Sequence, residues 1–130
     1  MNKTTQGSLE DFTITVLSTM LVGEPRGIGE WGFAALVDAD HHRMLVDTGA
    51  RPETVLKNTQ ELNVDLIGVH EVVLTHSHWD HVSGLLTLRR ELMKRNPDAL
   101  SIVHVPVGIF DRPTVAKWRG QSDDRDSQRV

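Results

Sequence analysis

Three histidines and an aspartate fall within the seven residues THSHWDH, 75–81. Imidazole nitrogens and carboxylate oxygens are ligands for Zn²⁺, and they also suit Mn²⁺ and Fe²⁺. Because side chains alternate along an extended segment, His76, His78 and Asp80 are predicted to project the same way. Two imidazoles two residues apart can then reach one ion. His81 is predicted to point elsewhere and, together with Asp80, to serve a second ion nearby.

Such a site would perform hydrolytic chemistry. A bound ion of this kind lowers the pKa of its water to about 7 and polarises the bond to be cleaved. The alternative is a set of surface histidines on a loop. The dense spacing, and the position of the motif between an apolar strand and an apolar helix, favour the metal site.

The elements on either side of the motif are predicted from their hydrophobic pattern. Residues 71–75 (EVVLT) form a short apolar run typical of a buried strand. Residues 84–95 place Leu85, Leu86, Leu88, Leu92 and Met93 on a helical period, and these side chains are predicted to form the helix core. α/β proteins place their sites past the carboxyl end of a strand, which is where this motif lies.

The same patterns predict the rest of the chain. The further predictions are a strand at 12–22, a flexible glycine-rich loop at 23–32, a hairpin of strands 33–38 and 43–47, a helix at 53–62 ended by Asn63, and a strand at 100–107. Strands separated by helices indicate an α/β fold. We expect a flexible tail at 1–8, a domain at 9–119 and a disordered charged tail at 120–130.

Composition narrows the functional classes. The chain has 130 residues, of which 38% are apolar and 25% charged, as in a soluble globular domain. A formal charge of −4 argues against nucleic acid as a partner. The absence of cysteine excludes disulfides and thiolate ligands. The polar N-terminus and the lack of a long apolar run predict a cytoplasmic protein without a membrane partner.

Several segments together resemble a known family. HSHWDH, residues 76–81, resembles the HxHxDH signature of the metallo-β-lactamase fold. GFAALVD followed by MLVDTG resembles the paired strands of that fold that end in Asp-Thr-Gly, and VVLTHSHWDHVSGL resembles its strand, metal loop and helix start. The resemblance covers about residues 12–107. Among the branches of the family, the spacing is most similar to the group related to dihydropterin-linked archaeal enzymes.

The resemblance implies roles for particular residues. His76 and His78 would bind the first metal ion, and Asp80 and His81 the second. Asp80 would also take part in the proton chemistry of the nucleophilic water, and Asp47 would support the metal loop by hydrogen bonding. The implied activity is hydrolysis of an ester, amide, thioester or phosphoester by metal-bound hydroxide. Zinc is the expected cofactor, as one or two ions, with Mn²⁺ or Fe²⁺ as alternatives.

The chain departs from the family in its second half. The full fold is an αββα sandwich of two halves, and the second half supplies a third histidine, a bridging aspartate and a last histidine. After His81 this sequence has only His104, which lies in a predicted strand and not at the third-ligand position. We therefore expect the N-terminal half of the sandwich, with weak metal sites and uncovered apolar strands.

Three functional readings follow. The leading one is the N-terminal part of a metal-dependent hydrolase that acts on a small molecule. The second is a non-catalytic fragment that self-associates or needs a partner chain to complete the metal site. The third is a histidine-based metal-binding module without turnover.

The sequence also suggests roles for tryptophans and histidines outside the assigned metal ligands. Trp31 and Trp79 could form a substrate rim or pack against the protein. His104 is predicted to be a satisfied, partly buried histidine, and His41 and His42 to be solvated.

Overall fold

The computed structural model describes residues 7–23 and 25–111. In chain order the elements are β1 (Phe12–Ser18), β2 (Ala34–Ala39), β3 (His42–Val46), α1 (Thr54–Glu61), β4 (Glu71–Val73), α2 (Trp79–Val82), α3 (Leu85–Met93) and β5 (Ile102–His104). Most of the tail predicted at 1–8, and the whole tail predicted at 120–130, lie outside the described residues. No helix of the described part is long and apolar enough to cross a membrane.

The strands form one mixed sheet in the order β1-β2-β3-β4-β5. The first three strands pair antiparallel, whereas β4 runs parallel to both β3 and β5. The predicted α/β class is therefore confirmed. The predicted hairpin is β2–β3, and its two turn residues, Asp40 and His41, have φ of 49° and 70°. Positive φ at both positions is the conformation that matches the twist of paired strands.

Three strands are shorter than predicted. One of them is β4, which comprises Glu71–Val73 where 71–75 was expected. β1 ends at Ser18 and not at Val22, after a register shift between Val16 and Ser18. β5 comprises Ile102–His104, because it pairs only with β4, which itself has three residues. Hydrophobic pattern marks where a strand can lie, but the length of the partner strand decides where pairing stops.

One face of the sheet is covered by α1 and α3. Inward-facing side chains of four strands pack with those of the two helices, and the core members on these elements include Leu17, Leu36, Leu45, Val72, Val55, Leu88 and Leu92. α1 packs through its predicted apolar face, and α3 packs through Leu85, Leu88 and Leu92. The prediction that Leu86 and Met93 belong to the core is wrong, since they are 74% and 44% exposed. α1 ends where expected, since Asn63 takes a left-handed conformation with φ of 54°.

Within residues 7–23 and 25–111, nothing covers the opposite face of the sheet. Along β1 the side chains of Phe12, Ile14 and Val16 alternate onto this face and are 56%, 55% and 45% exposed. Ile102 of β5 is also an exposed apolar side chain. This is the apolar surface expected for half of a sandwich.

A polar cluster lies on the same uncovered face. Glu71 accepts from His104 Nε2 at 2.6 Å and lies 3.3 Å from His42 Nε2. His104 is therefore satisfied, as predicted, but its side chain is about half exposed and not buried. His42 is exposed, as predicted, although it also contacts this carboxylate.

Candidate metal centre

Asp47 is the buried centre of the site. It directly follows β3, is only 1% exposed and has a φ of 55°. Its backbone N–H donates to Val73 O at 2.8 Å, which ties the end of β3 to the end of β4. Its carboxylate accepts from the Thr75 backbone N–H at 2.8 Å and from the Thr75 hydroxyl at 2.7 Å. It also lies 2.7 Å from His81 Nδ1.

These bonds fix the tautomers of two histidines. An ionised carboxylate only accepts, so His81 Nδ1 must carry the proton that it shares with Asp47. The Thr75 hydroxyl likewise donates to Asp47, so it must accept from His76 Nδ1 at 2.9 Å. In both rings Nε2 is left with a free lone pair, which is the form that binds a metal ion.

The path of the motif corrects one prediction. The extended backbone stops at His78, because Trp79–Val82 forms the short helix α2. Asp80 is therefore not part of an alternating extended segment. A helical turn rotates successive side chains by about 100°, so His81 turns back toward the start of the motif. The rings of His76 and His81 lie 4.1 Å apart, and the prediction that His81 points elsewhere is wrong.

The structure brings a compact donor group together. Asp47, His76 and His81 each offer one ligand atom, and these atoms lie within 4.8 Å of one another. Two imidazoles and a carboxylate are a donor set that fits a divalent transition metal. His78 and Asp80 flank this group: the His78 ring meets the His76 ring edge-on at 4.6 Å, and Asp80 Oδ2 is 3.6 Å from His81 Nε2.

Three loops are joined beneath these side chains. The Thr48 backbone N–H and hydroxyl both donate to His81 O, at 2.7 and 3.0 Å. The Phe33 backbone N–H donates to Asp80 O at 3.3 Å, and Gly49 N–H donates to Phe33 O at 2.9 Å. The motif is therefore held by backbone bonds to residues that are distant in the sequence.

Two glycines permit this close approach. A Cβ on Gly84 would overlap Thr48 O, and a Cβ on Gly32 would come within 2.7 Å of Asp80 O and Ala50 N. Neither glycine has a positive φ, so the requirement comes from space and not from backbone conformation.

Glu30 is a site-supporting residue that the sequence did not reveal. Its buried carboxylate accepts from the Ser18 hydroxyl at 2.6 Å and from the backbone N–H groups of Ala50 and Arg51, both at 2.9 Å. It thereby anchors the end of the glycine-rich loop to the segment that follows Asp47. A single glutamate between a glycine and a tryptophan gives no pattern that could have predicted this role.

Other potential ligands lie elsewhere. His104 contacts Glu71 on the uncovered sheet face and is not part of the donor group. Asp111 is an exposed residue near the end of the described part. Asp123, Asp124 and Asp126 lie outside the described residues.

Comparisons with known proteins agree with this geometry. The family model described as the metallo-beta-lactamase superfamily matches residues 32–96, which is half of the 130-residue chain. A curated relative from Methanocaldococcus jannaschii is the 7,8-dihydropterin-6-methyl-4-(beta-D-ribofuranosyl)-aminobenzene-5′-phosphate synthase. It is 30% identical over 90 residues, which are 66% of this chain.

Two solved structures are also similar. The short form of human tRNase Z shares 22% identity, with a TM-score of 0.53 over 75% of this chain, which is a likeness of fold. Tm1679, described as a metal-dependent hydrolase of the beta-lactamase superfamily, shares 33% identity, with a TM-score of 0.48 over 62% of this chain.

The match covers only part of each of these proteins. The chain spans 27% of the curated synthase and 31% and 36% of the Tm1679 and human tRNase Z chains.

Proposed function

Because this chain belongs to the metallo-β-lactamase superfamily, we propose that it is the metal-loop half of a metal-dependent hydrolase. The observation that carries the proposal is the donor group of Asp47, His76 and His81, whose ligand atoms lie within 4.8 Å of one another. Asp47 fixes the ring of His81 directly and that of His76 through Thr75. Side chains held in this way are already oriented before a cation arrives, and such preorganisation favours binding.

We assign His76, His78, Asp80 and His81 as the metal ligands of this half. Asp47 orients His81 from behind by binding its Nδ1, which leaves Nε2 to face the ion. Zinc suits these imidazole and carboxylate donors, as do Mn²⁺ and Fe²⁺. When bound, such an ion supplies an acidified water and polarisation of the scissile bond.

Asp80 is the candidate for proton transfer. Its carboxylate lies 3.6 Å from His81 Nε2 and is partly exposed, so it can reach water at the site. The reaction class is hydrolysis of an ester, amide, thioester or phosphoester. The 30% identity to the archaeal synthase supports a relation to the dihydropterin-linked branch.

Metal binding gives the first test. Alanine at His76 or His81 is expected to weaken Zn²⁺ affinity at least tenfold, because each change removes a preset ligand. Affinity is measured by competition with a chromophoric chelator. His70→Ala is the matched control, since His70 is exposed and precedes β4 outside the donor group. Equal affinity in all four proteins would contradict the assignment.

The measurement also reports how complete the site is. With two assigned ligands per ion, wild-type binding is expected to be weak, since a catalytic zinc usually has three protein ligands. Tight binding of two ions per monomer would contradict this expectation. Turnover of generic esters or phosphodiesters that disappears in Asp80→Ala would separate an enzyme from a metal-binding module.

A second candidate function is a fragment that acts only with a partner chain. The uncovered sheet face favours it, because Phe12, Ile14 and Val16 leave a row of apolar side chains in water. A chain that packs on this face could also supply the remaining metal ligands. When no such partner is present, we expect copies of this chain to associate with each other through the same sheet face.

Association through the sheet face is tested by Ile14→Thr. Threonine suits a strand but removes apolar surface, so the variant is expected to associate less than wild type in sedimentation velocity. Leu21→Thr is the control, because Leu21 is an exposed apolar residue in a loop outside the sheet. A wild-type chain that stays monomeric at all concentrations, or equal effects of both changes, would contradict this role of the face.

A further inference from the structure

Two tryptophans lie exposed beside the candidate metal centre. Trp31 is 68% exposed and Trp79 is 62% exposed. Tryptophan is a residue that folded proteins bury to a large extent, so an exposed indole is informative in a way that an exposed leucine is not. Core packing, which was one reading of Trp31, is therefore excluded, and Trp79 also lies outside the buried core.

The backbone brings the two tryptophans to the same place. Trp79 precedes Asp80, whose carbonyl oxygen accepts from Phe33 N–H at 3.3 Å. Trp31 precedes Gly32, and a Cβ on that glycine would come within 2.7 Å of the same carbonyl oxygen. Each tryptophan is thus one residue away from the place where the segment of Gly32 and Phe33 meets the Asp80 carbonyl oxygen. Asp80 belongs to the histidine motif.

The indole rings are not used in packing against other rings. In residues 7–23 and 25–111, ring-to-ring contacts are limited to the imidazoles of His76, His78 and His81. The buried core of this part of the chain consists of aliphatic side chains. Both indoles therefore keep ring surface available to a ligand.

Resting on the hydrolase function proposed above, we propose that Trp31 and Trp79 form a recognition rim for a planar, ring-bearing substrate. Flat aromatic groups stack on indole with a preference that saturated rings of the same size do not share. The rim binds the ring while the scissile bond lies toward the donor group of Asp47, His76 and His81. The two tryptophans determine specificity and take no part in bond cleavage.

Matched probes measure this recognition without any turnover. Benzoate and cyclohexanecarboxylate carry the same charge and nearly the same volume, but only benzoate is flat. Binding is followed by quenching of indole fluorescence in a Trp118→Phe background, which removes the third tryptophan. We expect benzoate to bind more tightly than cyclohexanecarboxylate in the metal-free 130-residue chain. Trp31→Leu and Trp79→Leu should each reduce that preference by about two- to tenfold.

Two further variants make the outcome decisive. Trp79→Phe should restore part of the preference, because phenylalanine keeps a flat ring. Leu86→Ala should leave it unchanged, because Leu86 is an exposed apolar residue of α3 that has no part in the site. Equal binding of the two probes to the wild-type rim would overturn the proposal. So would a preference for benzoate that persists unchanged in each of the two single leucine variants.

The rim and the hydrolase function can fail separately. Ring selectivity without Zn²⁺ binding or turnover would keep the rim and contradict the hydrolase. Hydrolysis of acetyl and benzoyl esters at equal rates in wild type and in both leucine variants would keep the hydrolase and contradict the rim.

Discussion

Asp47→Asn is expected to weaken Zn²⁺ affinity by about 10- to 100-fold and to lower the free energy of unfolding by about 2 kcal/mol. The carboxylate accepts from Thr75 twice and contacts His81 Nδ1 at 2.7 Å, whereas the asparagine amide would present N–H groups to at least one of these donors. His81 would then lose the bond that keeps its Nε2 free. The two quantities are measured by chelator competition and by urea unfolding.

The unusual backbone conformation of residue 47 does not by itself destabilise the Asp47→Asn variant. Asp47 has a φ of 55°, and asparagine tolerates the left-handed region as well as aspartate does. Asp47→Ala should lower the free energy of unfolding by about 1 kcal/mol more than Asp47→Asn does, because alanine disfavours the left-handed region. The matched control is Asp40→Asn: Asp40 has a φ of 49° but is exposed, and its carboxylate accepts from the backbone N–H groups of Glu10 and Asp11. If Asp47→Asn and Asp40→Asn behave alike, Asp47 does not orient the site.

Gly84→Ala is expected to destabilise the protein by about 3 kcal/mol and to reduce metal binding as well. The added Cβ would overlap Thr48 O, a backbone atom that cannot rotate away. Relief of the overlap requires Thr48 to separate from the start of α3. The bonds from Thr48 to His81 O, at 2.7 and 3.0 Å, would then be lost. Urea unfolding and Zn²⁺ competition measure the two effects.

A loss of stability in Gly84→Ala would report the close contact between Gly84 and Thr48. Gly84 has a φ of −76° and a ψ of −19°, which alanine adopts freely, so the backbone conformation gives no reason for a loss. Gly68→Ala is the control, because a Cβ there meets nothing within 4 Å. It should change stability by less than about 1 kcal/mol, in either direction. A neutral Gly84→Ala would mean that the two loops are not in contact as described.

Periodicity predicted the elements well because it reflects which side chains are buried. Leu88 and Leu92 of α3, and Val72 of β4, were placed in apolar patterns by the sequence and lie in the core of the structure. Strand ends were predicted less well. β1 stops four residues before the predicted end at Val22, because pairing with β2 ends there, and pairing is not encoded locally.

The sequence by itself determined the chemistry of the site. The residue types and spacing of THSHWDH predicted a metal loop, and the family resemblance implied that Asp47 supports it. This was possible because metal ligands must be close together, and here four of the candidates lie within six residues.

Only the tertiary structure decided the arrangement of these residues. The helical turn at Trp79–Val82 directs His81 to Asp47, 34 residues earlier in the chain, and joins it with His76. Glu30, Gly32 and Gly84 support this arrangement through buried hydrogen bonds and through space for close backbone approach. Local spacing cannot specify such contacts, because they depend on which distant segments the sheet brings together.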